Sequence, residues 1–206
     1  MKKLISLLII LVVNLLIVQS LVAQFSGPEF SVVAGISKSS IVGESESWKD
    51  PIGGMGGVIM TFAKVMDEKL WFRAELNVSM QGAKWEEDYG MGVVSGRVNL
   101  LYLNLPIVAR YQFEGGFFGE LGIQPGFLLS AKDKYEGVSE DYKDYVNTFD
   151  FGIPIGVGYE FKNKLGVGLR VVPGLTNINK DPNGESTAKD RNLVAAVRVT
   201  YTFAKK

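Results

Sequence analysis

Four carboxylates in strand-like segments, Glu75, Glu120, Asp150 and Glu160, are the side chains best suited by type to acid–base chemistry. Two carboxyl groups in different environments can divide into an acid and a base. The same segments carry four arginines, Arg73, Arg110, Arg170 and Arg198. Arginine stays charged and grips carboxylates with two donors at once, so the eight read as a neutral set of structural ion pairs. Composition closes other routes. The 206 residues contain no His, the commonest general base and metal ligand, and no Cys, which excludes disulfides and thiol chemistry. Ser130 and Lys132 have the types of a nucleophile–base dyad but read as solvated side chains at a strand end. The run GGMGG, Gly53–Gly57, resembles a phosphate loop only in composition, because no Lys-Ser/Thr follows it. The expectation is therefore no catalytic residue, no cofactor and no metal.

The elements that carry these residues are strands. From residue 25 onward, alternation with period two is widespread and helical periodicity is nearly absent. In residues 70–81 (LWFRAELNVSMQ), Leu70, Phe72, Ala74, Leu76, Val78 and Met80 share one face, with Arg73 and Glu75 on the other. Residues 148–161 and 192–203 repeat the pattern. Eight strands are predicted, at about 29–38, 54–65, 70–81, 97–113, 117–131, 148–161, 165–176 and 191–203. Connections alternate between short turns (66–69, 114–116, 162–164) and long polar loops of about 14 to 16 residues. An antiparallel up-and-down meander closed into a barrel does this, with turns at one end and loops at the other. Pro106, Pro125, Pro154 and Pro173 fall inside strands, and proline lacks the ladder donor. Bulges are expected there, with a slip of face beyond each.

All eight charged residues lie opposite the apolar face of their own strands. Turned toward lipid, each would cost about 2–4 kcal/mol near the bilayer midplane. Eight would exceed the roughly 5–15 kcal/mol that stabilises a typical domain. In a membrane the charges must therefore point into the barrel, and a lumen of eight strands is narrow enough for side chains to fill. A water-soluble barrel with the charges in solvent is the competing reading. Against it stand aromatics gathered at one end (Tyr111, Phe113, Phe117, Tyr159, Phe161, Tyr201, Phe203), as in an interfacial girdle. Trp48, Trp85, Tyr89, Phe127 and Phe149 are candidates for the other end. The start of the chain fits export. Lys2 and Lys3 precede an apolar stretch, Leu4–Val18, with a small and polar end near Ala23 and Gln24. Residues 1–24 read as a signal peptide and 25–206 as one barrel domain; an uncleaved anchor is the alternative. Removal of the leader leaves 20 basic and 22 acidic side chains. The segments 39–52, 82–96, 132–147 and 177–190 are acidic, with a summed charge of −7.

Several segments carry a family resemblance: ELNVSMQGAKW, YLNLPIVARYQF, FGELGIQPGFLLSAK, FDFGIPIGVGYEFKNKLGVGLRVVPGLTNIN and a final LVAAVRVTYTF. Together they resemble the outer-membrane β-barrel domain family of Bacteroidetes, the small barrels similar to PorT. The resemblance covers about residues 29–203. It implies an eight-stranded transmembrane barrel in the bacterial outer membrane, with both termini in the periplasm, in contact with lipid and lipopolysaccharide. PorT-like members are associated with protein secretion and gliding machinery. Phe203 resembles the terminal aromatic used in barrel insertion, although three residues follow it. The expected role is non-enzymatic: a structural, adhesion or secretion-assembly component with a plugged polar lumen, meeting partners through extracellular loops and not binding nucleic acid. A narrow passive channel or small-ligand transporter is the alternative.

Overall fold

A computed structural model describes residues 28–43, 51–88, 90, 92–135, 137–180 and 189–203. The expected leader, residues 1–24, lies outside them, as do Trp48 and Tyr89. The strands are β1 (Glu29–Gly43), β2 (Ile52–Val65), β3 (Leu70–Asp88), β4 (Val93–Asn104), β5 (Ile107–Gln112), β6 (Phe117–Tyr135), β7 (Val138–Asp141), β8 (Phe149–Gly152), β9 (Ile155–Glu160), β10 (Leu165–Pro173) and β11 (Asp190–Thr202). β4 and β5 are two halves of one barrel strand, as are β8 and β9. β7 only folds back on β6. Eight strands remain in the ring. Each is antiparallel to its neighbour in sequence, and β1 pairs with β11 to close it.

The alternation read from the sequence sets the two faces. Leu76, Val78 and Met80 on β3, and Val197 and Val199 on β11, face outward, while Asn77, Ser79 and Arg198 are buried inside. Ile36, Val157 and Leu169 are each more than half exposed on the same outer surface. On β3 the apolar face runs from Leu70 to Met80. Ten steps are roughly 34 Å along the strand, and about 25 Å once tilted, the height of the apolar band of a transmembrane barrel. At the turn end, Tyr111–Phe113, Phe117–Tyr159, Tyr159–Phe161 and Tyr201–Phe203 pack edge to face at 4.8–5.7 Å.

Three expectations need correction. The prolines cause no slip of face. Pro106 and Pro154 interrupt their strands, yet even-numbered residues point inward on both sides of each break. All four proline carbonyls still accept ladder bonds: Pro106 from Glu75 N, Pro125 from Leu105 N, Pro154 from Gly122 N and Pro173 from Ile153 N, at 2.8–3.1 Å. The slip in β6 occurs instead at a bulge, where Leu101 pairs with Ser130 but Tyr102 with Leu128. Secondly, segments 82–96 and 132–147 are not simply loops. β3 and β4 stay paired out to Asp88 and Val93, and β6 folds back through β7, because Val, Tyr and Trp continue the strand pattern among the charges. Thirdly, Trp85 is no outer girdle residue. It turns inward over Gly96 and donates to Asp133 at 3.1 Å.

With cysteines placed singly, a membrane-confined thiol reagent is expected to modify Leu76→Cys and Val197→Cys and to spare Asn77→Cys in the folded protein; the reverse pattern would invert the barrel.

Candidate functional site: a filled lumen

Every second residue of each strand points into the barrel, so the lumen is built by alternation alone. It is filled in layers. At the centre, Glu75 from β3 and Glu120 from β6 meet Arg170 from β10 and Arg198 from β11. Arg170 donates Nη1 and Nη2 to Glu75 at 2.9 and 2.7 Å, and Nε to Glu120 at 2.7 Å. Arg198 donates Nη2 to Glu75 at 2.6 Å and Nη1 to Glu120 at 3.2 Å. All four are buried, and β3 lies across the ring from β10. Buried charges persist only when paired and hydrogen-bonded in this way.

Toward the turn end, Arg110 pairs with Glu160 at 3.0 Å. The Arg110 guanidinium lies 3.4 Å from the Phe118 ring centre and 5.1 Å from that of Trp71, and Lys64 lies 4.2 Å over Trp71. Cations over aromatic faces gain most where water is excluded. The tip of the Phe118 ring fits because Gly158 and Gly168, paired on β9 and β10, have no side chains there. Lys64 also pairs with Glu29 at 2.8 Å. Arg73 is buried beside this layer.

Toward the other end, a neutral polar layer follows. Asn104 donates to Asn77 and Ser79 at 3.2 and 2.8 Å, and Gln81 donates to Ser79 at 2.8 Å. Asp150 stands here, apart from the other seven predicted charges. It accepts from Thr176 at 2.6 Å, Asn192 at 2.8 Å and the Phe151 amide at 2.9 Å. Uncharged donors, rather than arginine, satisfy it.

Above this lies an apolar plug that the sequence reading missed. Ile41, Val98, Leu100, Tyr102, Leu128, Val146 and Ile178 form one buried cluster, with Trp85 and Tyr142 packed on it. Val146 and Ile178 come from connecting segments that fold over the barrel mouth. Asn147 donates to the carbonyls of Asn177 and Asn179 at 3.0 and 2.9 Å, and Ile178 N donates to Asp190 O at 2.9 Å. Burial, with Asp133 nearby, holds the Tyr142 phenol above its ordinary pKa. The signal in the sequence was LLYL, residues 100–103, which is apolar on both faces between Asn99 and Asn104.

Among the described residues, no group of three or more His, Cys, Asp or Glu is placed to hold a metal. Ser130 and Lys132 both lie on the outward side of β6, and Gly53–Gly57 is strand.

The model of the outer membrane protein beta-barrel domain matches residues 23–180. The chain belongs to that family. Outer-membrane location follows from that membership. Among solved structures, Neisserial surface protein A is similar over 86% of this chain and 100% of its own, at 13% identity and a TM-score of 0.58. Ail, the attachment invasion locus protein of Yersinia pestis, gives 14% identity, 86% and 99% coverage and a TM-score of 0.45. The outer membrane protein OprG from Pseudomonas aeruginosa gives 13%, 87% and 97%, and 0.44. At 13% identity the likeness to Neisserial surface protein A concerns the fold alone. No curated protein matches in sequence.

Glu75→Gln leaves Arg170 and Arg198 short of a buried counter-charge. A loss of about 3–5 kcal/mol is expected, measured by urea unfolding of the protein folded in detergent micelles.

Proposed function

We propose that this barrel is a non-enzymatic component of the outer membrane that works through its extracellular surface, in adhesion or in assembly of a secretion system, around a non-conducting lumen. The observation that carries the reading is the layered filling. An ion-pair cluster, a cation–aromatic stack and an apolar plug occupy successive levels of one lumen. Arg73, Glu75, Arg110, Glu120, Asp150, Glu160, Arg170 and Arg198 act there as structural charges rather than as a catalytic set. A PorT-like role in secretion is supported by the sequence motifs quoted above, and the N-terminal leader by its charge and apolar pattern.

Lipopolysaccharide is the proposed lipid partner. Lys84, Arg97 and Lys134 are direct cross-strand neighbours on β3, β4 and β6. They lie on the outward face, a few residues beyond Met80 and Leu101, where the apolar band ends. Like charges side by side on a sheet repel, and phosphate groups of an anionic glycolipid at that level would compensate them. The three border a cleft of about 360 Å³. Replacing all three with Gln is expected to weaken binding to lipopolysaccharide-containing vesicles roughly hundredfold, at about 1 kcal/mol per cation, without altering retention in zwitterionic vesicles. Equal binding by variant and parent would remove this partner surface.

The alternative is a narrow passive channel or small-ligand transporter. Planar-bilayer recording separates the two. Absence of stable single-channel currents is expected, with Arg110→Ala lowering stability. Sustained currents whose ion selectivity changes in Arg110→Ala would establish the channel instead.

A further inference from the structure

The turn-side half of the lumen holds one cation too many. Within the central cluster and the layer beside it, Arg73, Arg110, Arg170 and Arg198 face only Glu75, Glu120 and Glu160, because Asp150 stands in another layer. The Lys64–Glu29 pair is neutral by itself. Arg170 is fully engaged, and Arg198 gives both terminal nitrogens to carboxylates. Arg73 is only 3% exposed and has no hydrogen bond or ion pair to any described residue. The carboxylates nearest in charge, Glu75 and Glu120, are shared with Arg170 and Arg198, so Arg73 has no counter-charge of its own, and an uncompensated buried charge is strongly destabilising.

Residues with unused donors border one space. The Nε atoms of Arg73, Arg110 and Arg198 are buried without partners. All three side chains border one void of about 10 Å³, together with Phe118, Glu120 and Thr200. A space of that size takes one water-sized occupant. Three arginines and the Thr200 hydroxyl border it, and no described residue accepts from Arg73. Glu120 is the one carboxylate on its border, and its Oε1 already accepts from Arg170 and Arg198. A guest there meets more donors than acceptors and an excess positive charge.

We propose that this void binds one small monovalent inorganic anion, chloride under ordinary conditions. The anion neutralises the charge of Arg73 beside Arg110 and Arg198, so the turn-side half of the lumen is charge-balanced only when it is loaded. A water molecule fits the space but leaves the charge uncompensated and must itself find acceptors for two protons. The site does not depend on whether the protein serves adhesion, assembly or transport.

The test uses the whole mature chain, folded into detergent micelles in halide-free buffer. Chloride or bromide is compared with gluconate, too bulky for the void, at equal ionic strength. The unfolding midpoint is expected to be about 3–6 °C higher in halide, the shift for one site at ten times its Kd in a chain of this size. Arg73→Met, which removes the excess charge, is expected to lose this dependence. Crystals grown in bromide should show one anomalous peak within hydrogen-bond reach of Arg73 and Arg110, and this measurement on the parent protein decides if Arg73→Met fails to fold. Equal midpoints in halide and gluconate would overturn the proposal, as would a void without a bromide peak. A peak with no halide-dependent midpoint would mark an adventitious ion only and would overturn it too.

Discussion

Closing eight strands into a ring gives the inward side chains neither bulk water nor lipid, so their charges must answer one another. That constraint is met by two glutamates and two arginines joining strands from different sides of the ring. Such a cluster need not add net stability, because desolvation offsets much of the attraction. Its larger effect is on specificity. Glu75 and Arg170 sit on strands that are not neighbours, and a two-donor contact at 2.7–2.9 Å tolerates little sliding. A shift of one residue in β3 or β10 would move a charge to the lipid face, costing about 2–4 kcal/mol near the midplane. Lipid outside and ion pairs inside therefore enforce the same register.

The layers use different physics because their surroundings differ. At the centre, full charges face full charges. Near the turns, Arg110 leans on aromatic faces as well as on Glu160, and Gly158 and Gly168 make the room for Phe118. Asp150, in the neutral layer, relies on an amide, a hydroxyl and a backbone N–H. At the mouth, polar side chains give way to an apolar cluster like that of a small soluble domain. The mouth segments can cover it because asparagine side chains, Asn147 above all, tie their backbone carbonyls together.

The outer face and the strand count were legible because period-two alternation is strict where one face meets lipid. The inward direction of the eight charges was legible from parity, but which of them meet was not. Asp150 and Glu160 lie on the same inward side of one broken strand, yet the ring brings Glu160 to Arg110 and leaves Asp150 with Asn192. Prolines misled in the other direction. Proline lacks an N–H but keeps its carbonyl, and each of the four carbonyls accepts a ladder bond, so the faces run through unchanged. The one slip in β6 came at Leu129, where no proline stands. The plug was hidden because Val146 and Ile178 occupy polar connecting segments, where single apolar residues are ordinary. Only the doubly apolar stretch Leu100–Leu103 hinted at an interior unlike a water-filled one.

The same filling shapes what the surface can do. A plug resting on Val98, Leu100 and Leu128 fixes the bases of β4 and β6, and these strands continue beyond the apolar band as a paired sheet with β3 and β7. Lys84, Arg97 and Lys134 are therefore held by ladder hydrogen bonds rather than carried on free loops. Ordering a flexible loop on binding costs roughly 0.5–1.5 kcal/mol per long side chain. A row of cations already ordered by the sheet avoids the backbone part of that cost. On the proposed reading, repulsion within the row stays in place until an anionic partner arrives, so the interior packing favours recognition on the rim.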